Sequence, residues 1–301
     1  MKDGSPLVSI GVPLFNSEAT LNATLESLLD QTHLNLEIII SDNLSTDRTL
    51  EICMEFQKRD NRIVLYPQNV NIGATQNFSF VLQHSKGDYF MWNAGDDIRS
   101  KDFIEVNLNY LLSDHSSVAS TSPNIHDNEN FASGNFVTHS LEGNLRERFN
   151  QFFELPGASH GFFYSLMCSE EIKSCPYVAG KNFWGWDWAI ILYLATQGNI
   201  HRAVGGYTIL GSQGISRRSD PLLASGVRGI GRLFPFTEFT KIIMLQTKDL
   251  CFSDRFVVAY LLFSLNLKTL LKSNRISLYF FFNMKKLLAS LKKSIKKLLK
   301  V

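Results

Sequence analysis

Apolar residues follow two rhythms along the first 123 positions, and the two alternate. LVSIGVPLF (Leu7–Phe15) is a short, nearly continuous run of β-branched and apolar residues, the pattern of a strand buried on both faces. SEATLNATLESLLDQT follows, with Leu21, Leu25, Leu28 and Leu29 on one helical face and Ser17 as candidate cap. The alternation repeats three times. LEIIISD reads as a strand, and STDRTLEICMEFQKRD as an amphipathic helix opened by Ser45, Thr46 or Asp47. RIVLYP and ATQNFSFVLQHS form the next strand–helix pair, and DYFMWN and SKDFIEVNLNYLLSD the last. Strands separated by helices of this length need crossover connections, which predicts an α/β fold with a largely parallel sheet. In such sheets a ligand lies beyond the C-terminal strand ends. Here those ends are Asn16, Asp42 and Asn93 to Asp97, three polar clusters at one edge.

From Asn124 to Glu154 the rhythm weakens while Asn, Ser, Gly and His accumulate, which predicts a long loop of the kind that caps a binding site. GASHGFFYSLMCSEEIKS restores a strand and a short helix, and NFWGWDWAIILYLATQG an aromatic turn leading into a helix that stops at Gly198. In MKKLLASLKKSIKKLLK, apolar residues fall on one helical face and lysines on the other. Residues 284–300 thus read as a cationic amphipathic helix, with the aromatic cluster RISLYFFFNM upstream. Such a helix either lies on an anionic membrane surface or packs on the body of the protein with its lysines exposed.

Charge sharpens that contrast. The net charge of the 301 residues is only +2, but no acidic residue follows Asp254, whereas eleven of the 30 Lys and Arg do. The preceding part therefore holds 19 basic against 28 acidic residues, a charge of −9, which argues against a nucleic-acid partner. Cys53, Cys168, Cys175 and Cys251 form no C-x-x-C pair and have no histidines at zinc spacing, so they read as free thiols. MKDGSPLVSIGVPLF lacks the apolar core of a signal peptide, and no run reaches the roughly 18 apolar residues of a spanning helix. The expected location is cytoplasmic, peripheral at the inner face of the cytoplasmic membrane.

The chemistry should gather at the strand ends. Asp96 and Asp97 are adjacent carboxylates that repel unless a cation stands there, and hard oxygen ligands suit Mg²⁺ or Mn²⁺. They also fit a helix cap near Ser100 or a solvated turn. Asp42, ending a buried strand, fits a hydrogen bond to a nucleobase N–H, or a capping turn. In NVNIGATQNF, Gly73 permits close backbone approach at a helix start, where N–H groups favour phosphate. No G-x-G-x-x-G or P-loop motif is present.

Together and in this order, VSIGVPLFNSEATL, EIIISDNLSTDRT, NVNIGATQNFSFVLQHSKGDYFMWNAGDDI and WGWDWAIILYLATQG resemble the inverting family 2 glycosyltransferases over roughly residues 7 to 215. The resemblance implies a GT-A fold, a Rossmann-like nucleotide-binding sheet. It implies a domain over 1–220, with a nucleotide half to about 123 and an acceptor half over 124–220, and a helical region over 221–301. Pro13, Asn16, Glu18, Asp42, Asn71, Gly73, Gln76 and Asp96 would then bind the sugar nucleotide, UDP by preference. Asp96, with Asp97, would hold Mn²⁺ or Mg²⁺. Asp187 would be the general base, and the walls of Trp184, Trp186 and Trp188 would raise its pKa. His160, Trp184 and Trp186 become candidates for the acceptor, a saccharide that the cationic tail suggests is lipid-linked, as in bacterial capsule, O-antigen or lipooligosaccharide synthesis. Apart from the resemblance, WGWDW fits a core aromatic cluster with Asp187 capping the next helix, and His160 fits a structural role.

The chain departs from the family pattern at three places. Ala94 stands where relatives carry the first carboxylate of D-x-D, Gln76 where many carry Arg, and GSQGISRRSD has no His where many bind metal. Arg217 and Arg218 are the phosphate candidates there. A saccharide-binding member without turnover is one alternative. Another is a nucleotidyltransferase, which would need a Gly-rich N-terminal loop bearing Arg and Lys; GVPLFNSEATL is no such loop.

Overall fold

The computed structural model describes residues 4–126, 137–154, 160–179, 183–211, 235–248 and 250–273. The chain divides into two compact units, Met1–Asn182 with Ile190–Gly214, and Phe183–Ala189 with Ile215–Val301.

In the first unit, β1 (Val8–Leu14), β2 (Leu36–Asp42), β3 (Ile63–Pro67) and β4 (Tyr89–Trp92) alternate with α1 (Leu21–Leu29), α2 (Thr49–Arg59) and α3 (Ala74–Gln83). After α3 and β4 come β5 (Ile98–Arg99), α4 (Phe103–Ser113), β6 (Ser117–Thr121), β7 (Asn124–His126) and α5 (Leu145–Glu154). Then follow α6 (His160–Phe163), β8 (Leu166–Cys168), α7 (Ser169–Lys173), β9 (Asn199–Arg202) and β10 (Thr208–Leu210). Seven strands form one sheet in the order β3-β2-β1-β4-β8-β6-β9, and β5-β10-β7 form a second. β1 runs parallel to both β2 and β4, while β8 is antiparallel to both β4 and β6. The chain thus winds outward from β1 to β3, then returns to the other side of β1 with β4. That reversal is where open α/β sheets leave a crevice at their C-terminal edge.

Every residue of β1 is buried, as expected of a strand covered on both faces. The β1–β4 ladder stops early. Asn93 N donates to Gly11 O, while Asn43 N donates to Leu14 O on the β2 side. Alternation along the strand turns Pro13 toward β4, where its missing N–H ends the ladder and lets the two strands part.

Two of the helices, α1 and α4, begin later than their polar prefixes suggest. Ser17 offers its carbonyl, not its hydroxyl, to the first turn of α1. Ser100 pairs through N and Oγ with Tyr207 instead of capping α4. At Ser100 a partner distant in sequence outcompetes the local cap. The predicted loop over Asn124–Glu154 is corrected at its two ends. Asn124–His126 is a strand, and α5 buries Phe149, Phe152 and Phe153 at helical spacing. Asn144 and Glu147 cap α5 reciprocally, Asn144 N to Glu147 Oε2 at 2.8 Å and Glu147 N to Asn144 Oδ1 at 3.0 Å.

The second unit contains the start of α8 (Trp186–Gln197), whose Ile190–Gln197 belongs to the first unit, together with α9 (Thr237–Gln246) and α10 (Phe252–Ser273). Asn266 Oδ1 accepts the N–H of Phe236, and Asn266 Nδ2 bonds Thr240 Oγ1 and Leu262 O, which ties α10 to the start of α9. Among the described residues no helix is long and apolar enough to cross a membrane. Residues 284–300 lie outside the described residues.

Candidate functional site

The C-terminal edge of the large sheet begins with two loops clamped together. Asn16 and Leu44 both adopt left-handed backbone, φ 52° and 60°, rare for residues with a β-carbon. The clamp accounts for the first of them. Asn16 N donates to Ser45 Oγ at 2.9 Å, and Asn16 Oδ1 accepts Thr46 N at 2.8 Å. Glu18 completes it, accepting Arg48 N at 2.8 Å and donating its own N–H to Asp47. Asn16 and Glu18 therefore hold the rim together, and Pro13 lies buried beneath it.

Beside the rim is a cleft of about 140 Å³ lined by Pro13, Phe15, Asn43, Asn71, Ala74 and Phe78, among others. Its floor is a polar network. Asn77 takes the Ser41 hydroxyl at 2.6 Å and donates to Leu14 O and Ser41 O, stitching the ends of β1 and β2 to α3. Asn43 donates to Asn71 Oδ1 and accepts Ile72 N, while Asn71 Oδ1 also accepts Gly73 N. Gly73 (φ 81°) caps α3 without a side chain, so the first N–H groups of that helix have no side-chain cap. Gln76 is exposed in the same turn. Asp42 ends β2 at 1% exposure; its Oδ2 accepts Ser45 N at 3.2 Å, and its Oδ1 is buried without a partner. An orphaned carboxylate oxygen at a strand end costs free energy unless a donor reaches it. Asn43 and Asn77, which carry most of this network, were not among the residues singled out from sequence. Their signal was an Asn directly following a strand-end Asp and an Asn in the first turn of a helix.

The Asp96–Asp97 corner is built differently. Gly95 O accepts the hydroxyls of Thr20 and Thr24 at 2.7 and 3.1 Å, which pins the corner onto α1. Asn93 braces it from below by donating to Ala94 O and Asp97 O. Asp97 is 3% exposed; its Oδ1 accepts Gly211 N at 2.9 Å, and its Oδ2 is buried without a partner. Burial pushes the Asp97 carboxyl up to about 6, against the opposing pull of Arg99 and the Gly211 N–H. Arg99 is itself buried, which lowers it to about 10; it bonds Asn93 Oδ1 at 2.7 Å and Thr208 Oγ1 at 2.6 Å. Asp96 is only half-buried, and a β-carbon on Gly211 would overlap its carboxylate. The alternatives of helix cap and solvated turn both fail for Asp97, which is buried and serves Gly211.

Among the described residues no three His, Cys, Asp or Glu side chains converge as a protein-only metal cage. One partly exposed carboxylate does suit a hard cation that keeps water and takes its remaining ligands from substrate phosphates.

In the second unit Trp184, Trp186 and Trp188 flank Asp187 in sequence; Asp187 lies in the first turn of α8, where its charge favours the helix. Trp188 stacks on Phe236 at 5.5 Å between centroids, Trp184 lies 6.2 Å from the same ring, and Trp186 is buried. Gly185 (φ 86°) makes the turn between the first two tryptophans. Trp184 Nε1 is buried without a hydrogen-bond partner. His160 opens α6 in the first unit, but its side chain lies outside the described residues, as do Arg217 and Arg218. Burial pushes three thiols up, Cys53 and Cys175 to about 12 and Cys168 to about 11.

Residues 9–168, more than half of the chain, match the family model described as Glycosyl transferase family 2. A Haemophilus influenzae protein named only as an uncharacterized glycosyltransferase is 34% identical over 110 residues, 36% of this chain and 44% of that protein. A Bacillus subtilis protein provisionally named as the teichuronic acid biosynthesis glycosyltransferase TuaG is 34% identical over 112 residues, 37% of this chain and 44% of that protein. The chain thus matches less than half the length of these relatives. In structure, S. aureus TarS 1-349 in complex with UDP-GlcNAc aligns with TM-score 0.62 at 15% identity, over 85% of this chain and 71% of TarS. The mannosyltransferase PcManGT of Pyrobaculum calidifontis, in complex with GDP-Man and Mn²⁺, aligns with TM-score 0.53 at 14% identity, over 98% and 83%. These likenesses establish the GT-A fold.

Proposed function

The chain belongs to glycosyl transferase family 2, and on that premise we propose that it moves a sugar from a nucleoside diphosphate, UDP by preference, to a saccharide hydroxyl with inversion. The observation that carries this reading is the orphaned Oδ1 of Asp42, whose chain neighbour Asn43 lines a cleft between the end of β1 and the start of α3. Asp42 accepts a base N–H. Asn71 and the uncapped first turn of α3 receive the polar part of the nucleotide. Asp96 would hold Mg²⁺ or Mn²⁺ together with the diphosphate, a cation that would supply charge stabilisation to the departing group. Asp187 takes the proton of the attacking hydroxyl, and attack from the face opposite the leaving group inverts the anomeric centre. Trp184, Trp186 and His160 serve the acceptor, and Arg217 and Arg218 the phosphates.

A lipid-linked acceptor at an anionic membrane surface is part of the same proposal. Its support is the purely cationic chain beyond Asp254 and the exposed aromatic rings of Phe252, Phe256 and Phe263 along one face of α10. The names of TarS and the TuaG relative support a UDP-sugar and a surface polysaccharide.

The test is calorimetric titration of UDP into the protein with and without Mn²⁺, repeated on Asp96→Asn. Binding strengthened by Mn²⁺ in the wild type but not in the variant is the expected result. Binding indifferent to both would remove the cation from Asp96. Absence of UDP binding throughout would redirect the search to other nucleotides, and donor binding without turnover would leave a saccharide-binding member.

A further inference from the structure

The neighbouring carboxylates at the corner differ in surroundings, and Gly211 lies between their roles. β10 ends at Leu210, and the next residue presents its N–H to Asp97 and its α-carbon to Asp96. Gly211 is not in left-handed backbone, so glycine is required there for space and not for conformation. A β-carbon at this position would overlap the Asp96 carboxylate at its Cβ, Cγ and Oδ2.

The surrounding bonds join the corner and β10 into one body. β5 pairs antiparallel with β10, Arg99 opposite Thr208 and Ile98 opposite Ile209. The Arg99 guanidinium bridges Asn93 Oδ1 to Thr208 Oγ1 and lies 4.4 Å over the Phe103 ring. Asp97 adds the last bond of this lattice, one residue beyond the end of β10. With one oxygen on Gly211 and the whole group nearly sealed, Asp97 faces protein while Asp96 keeps partial exposure.

We propose that Asp97 is a positioning residue. By holding the Gly211 backbone against Asp96, it fixes the direction in which the Asp96 carboxylate presents its oxygens, and it is not itself a cation ligand. The proposal rests on the reading of Asp96 as the cation-facing carboxylate. Partners that orient a ligand without touching the metal commonly govern metal affinity by about 10- to 100-fold.

The experiment uses the full chain, UDP and Mn²⁺, and reads the gain in UDP affinity that Mn²⁺ produces separately from the affinity without metal. Gly211→Ala, whose new methyl displaces the Asp96 carboxylate, is expected to lose about tenfold of the gain. Its metal-free affinity should stay within about twofold of wild type, since the base side of the cleft is untouched. Asp97→Asn keeps an oxygen that accepts the Gly211 N–H and should retain most of the gain; Asp97→Ala should lose it as Gly211→Ala does. Hydrogen exchange at the Gly211 amide, read without metal, should be fast in Asp97→Ala and protected in Asp97→Asn.

A full Mn²⁺ gain in Gly211→Ala would overturn the proposal even if neither Asp97 variant folds. Loss of the gain in Asp97→Asn as complete as in Asp96→Asn, with the Gly211 amide still protected, would also overturn it by making Asp97 a ligand. A wild type whose UDP binding ignores Mn²⁺ would instead remove the underlying reading of Asp96, and this proposal with it.

Discussion

One edge of the seven-stranded sheet buries unpartnered carboxylate oxygens at one end and unpartnered nitrogens of Arg202 and His139 at the other. β8 is antiparallel to both β4 and β6, so β6 and β9 point the same way as β1, β2 and β4. On the β1–β2–β4 side, Asp42 and Asp97 each hold one oxygen on a backbone N–H and bury the other without a partner. On the β6–β9 side, Arg202 and His139 likewise bury Nη2 and Nε2 without partners. Arg99 Nη2 is orphaned on the acidic side as well, and the enclosures of Asp42 and Arg202 differ. Arg202 donates to His139 O, Ser122 O and Asn124 Oδ1 and lies over the Phe162 ring at 4.6 Å. Three acceptors and an aromatic face make it a clasp between segments. The Asp42 carboxylate has a single short-range bond, and its chain neighbour Asn43 lines an open cleft. A buried polar atom without a partner marks a candidate site only where the neighbouring space admits one.

The largest effect expected from this contrast is at the basic end. Arg202→Leu leaves three acceptors without their donor and should cost about 4 kcal/mol of stability by urea unfolding, with UDP affinity of the folded protein unchanged. Lost UDP binding at unchanged stability would turn the clasp into a ligand site. Next comes acidity. Burial and then Arg202 push the His139 imidazole down to about 4, below its unfolded value of 6.5. Between those values the unfolded chain binds the extra proton, so stability is complete above about pH 6.5 and falls as pH drops toward 4, by about 2–3 kcal/mol. Unfolding midpoints at pH 4.5 and pH 7 should differ less in His139→Gln than in the wild type; equal slopes would place the titration elsewhere.

On the acidic side, Asp42→Ala should weaken UDP binding by about 2 kcal/mol, near 30-fold, in a calorimeter. An unchanged affinity would make Asp42 as structural as Arg202. The smallest effect should come from Gly73→Ala, whose left-handed backbone disfavours a β-carbon although nothing stands within 4 Å of one. A loss of about 1 kcal/mol is expected, visible as a small drop in Tm.

Most of the first hundred residues were legible because their signals are local. Strands buried on both faces read as unbroken apolar runs, and α1, α2 and α3 carry their apolar stripe every three or four residues. What escaped was decided at a distance. The prefixes of α1 and α2 look like helix because Ser, Thr and Asp are good caps, yet Asn16, Ser17 and Glu18 bond Ser45, Thr49 and Asp47 across the edge. α5 was missed because after Leu145 only its phenylalanines are apolar, although the Asn144–Glu147 cap was readable. The Asp96–Asp97 pair was visible as chemistry but not as a division of roles. In extended chain, neighbours tend to face opposite sides, a hint that both would not meet the same ligand. Which of them turned inward was set by Gly211, which no local pattern links to Asp97.

That bond spans 114 residues, whereas the bond from Ser45 to Asp42 spans three. Contacts so far apart along the chain close late, because the intervening loop must be gathered first. During synthesis the strand end at Asp42 can take its shape as soon as β2 and its loop have emerged. The corner at Asp96 waits until residue 211 has been made. The edge is assembled from its β2 end toward β4, and its last fastening arrives from the far end of the unit.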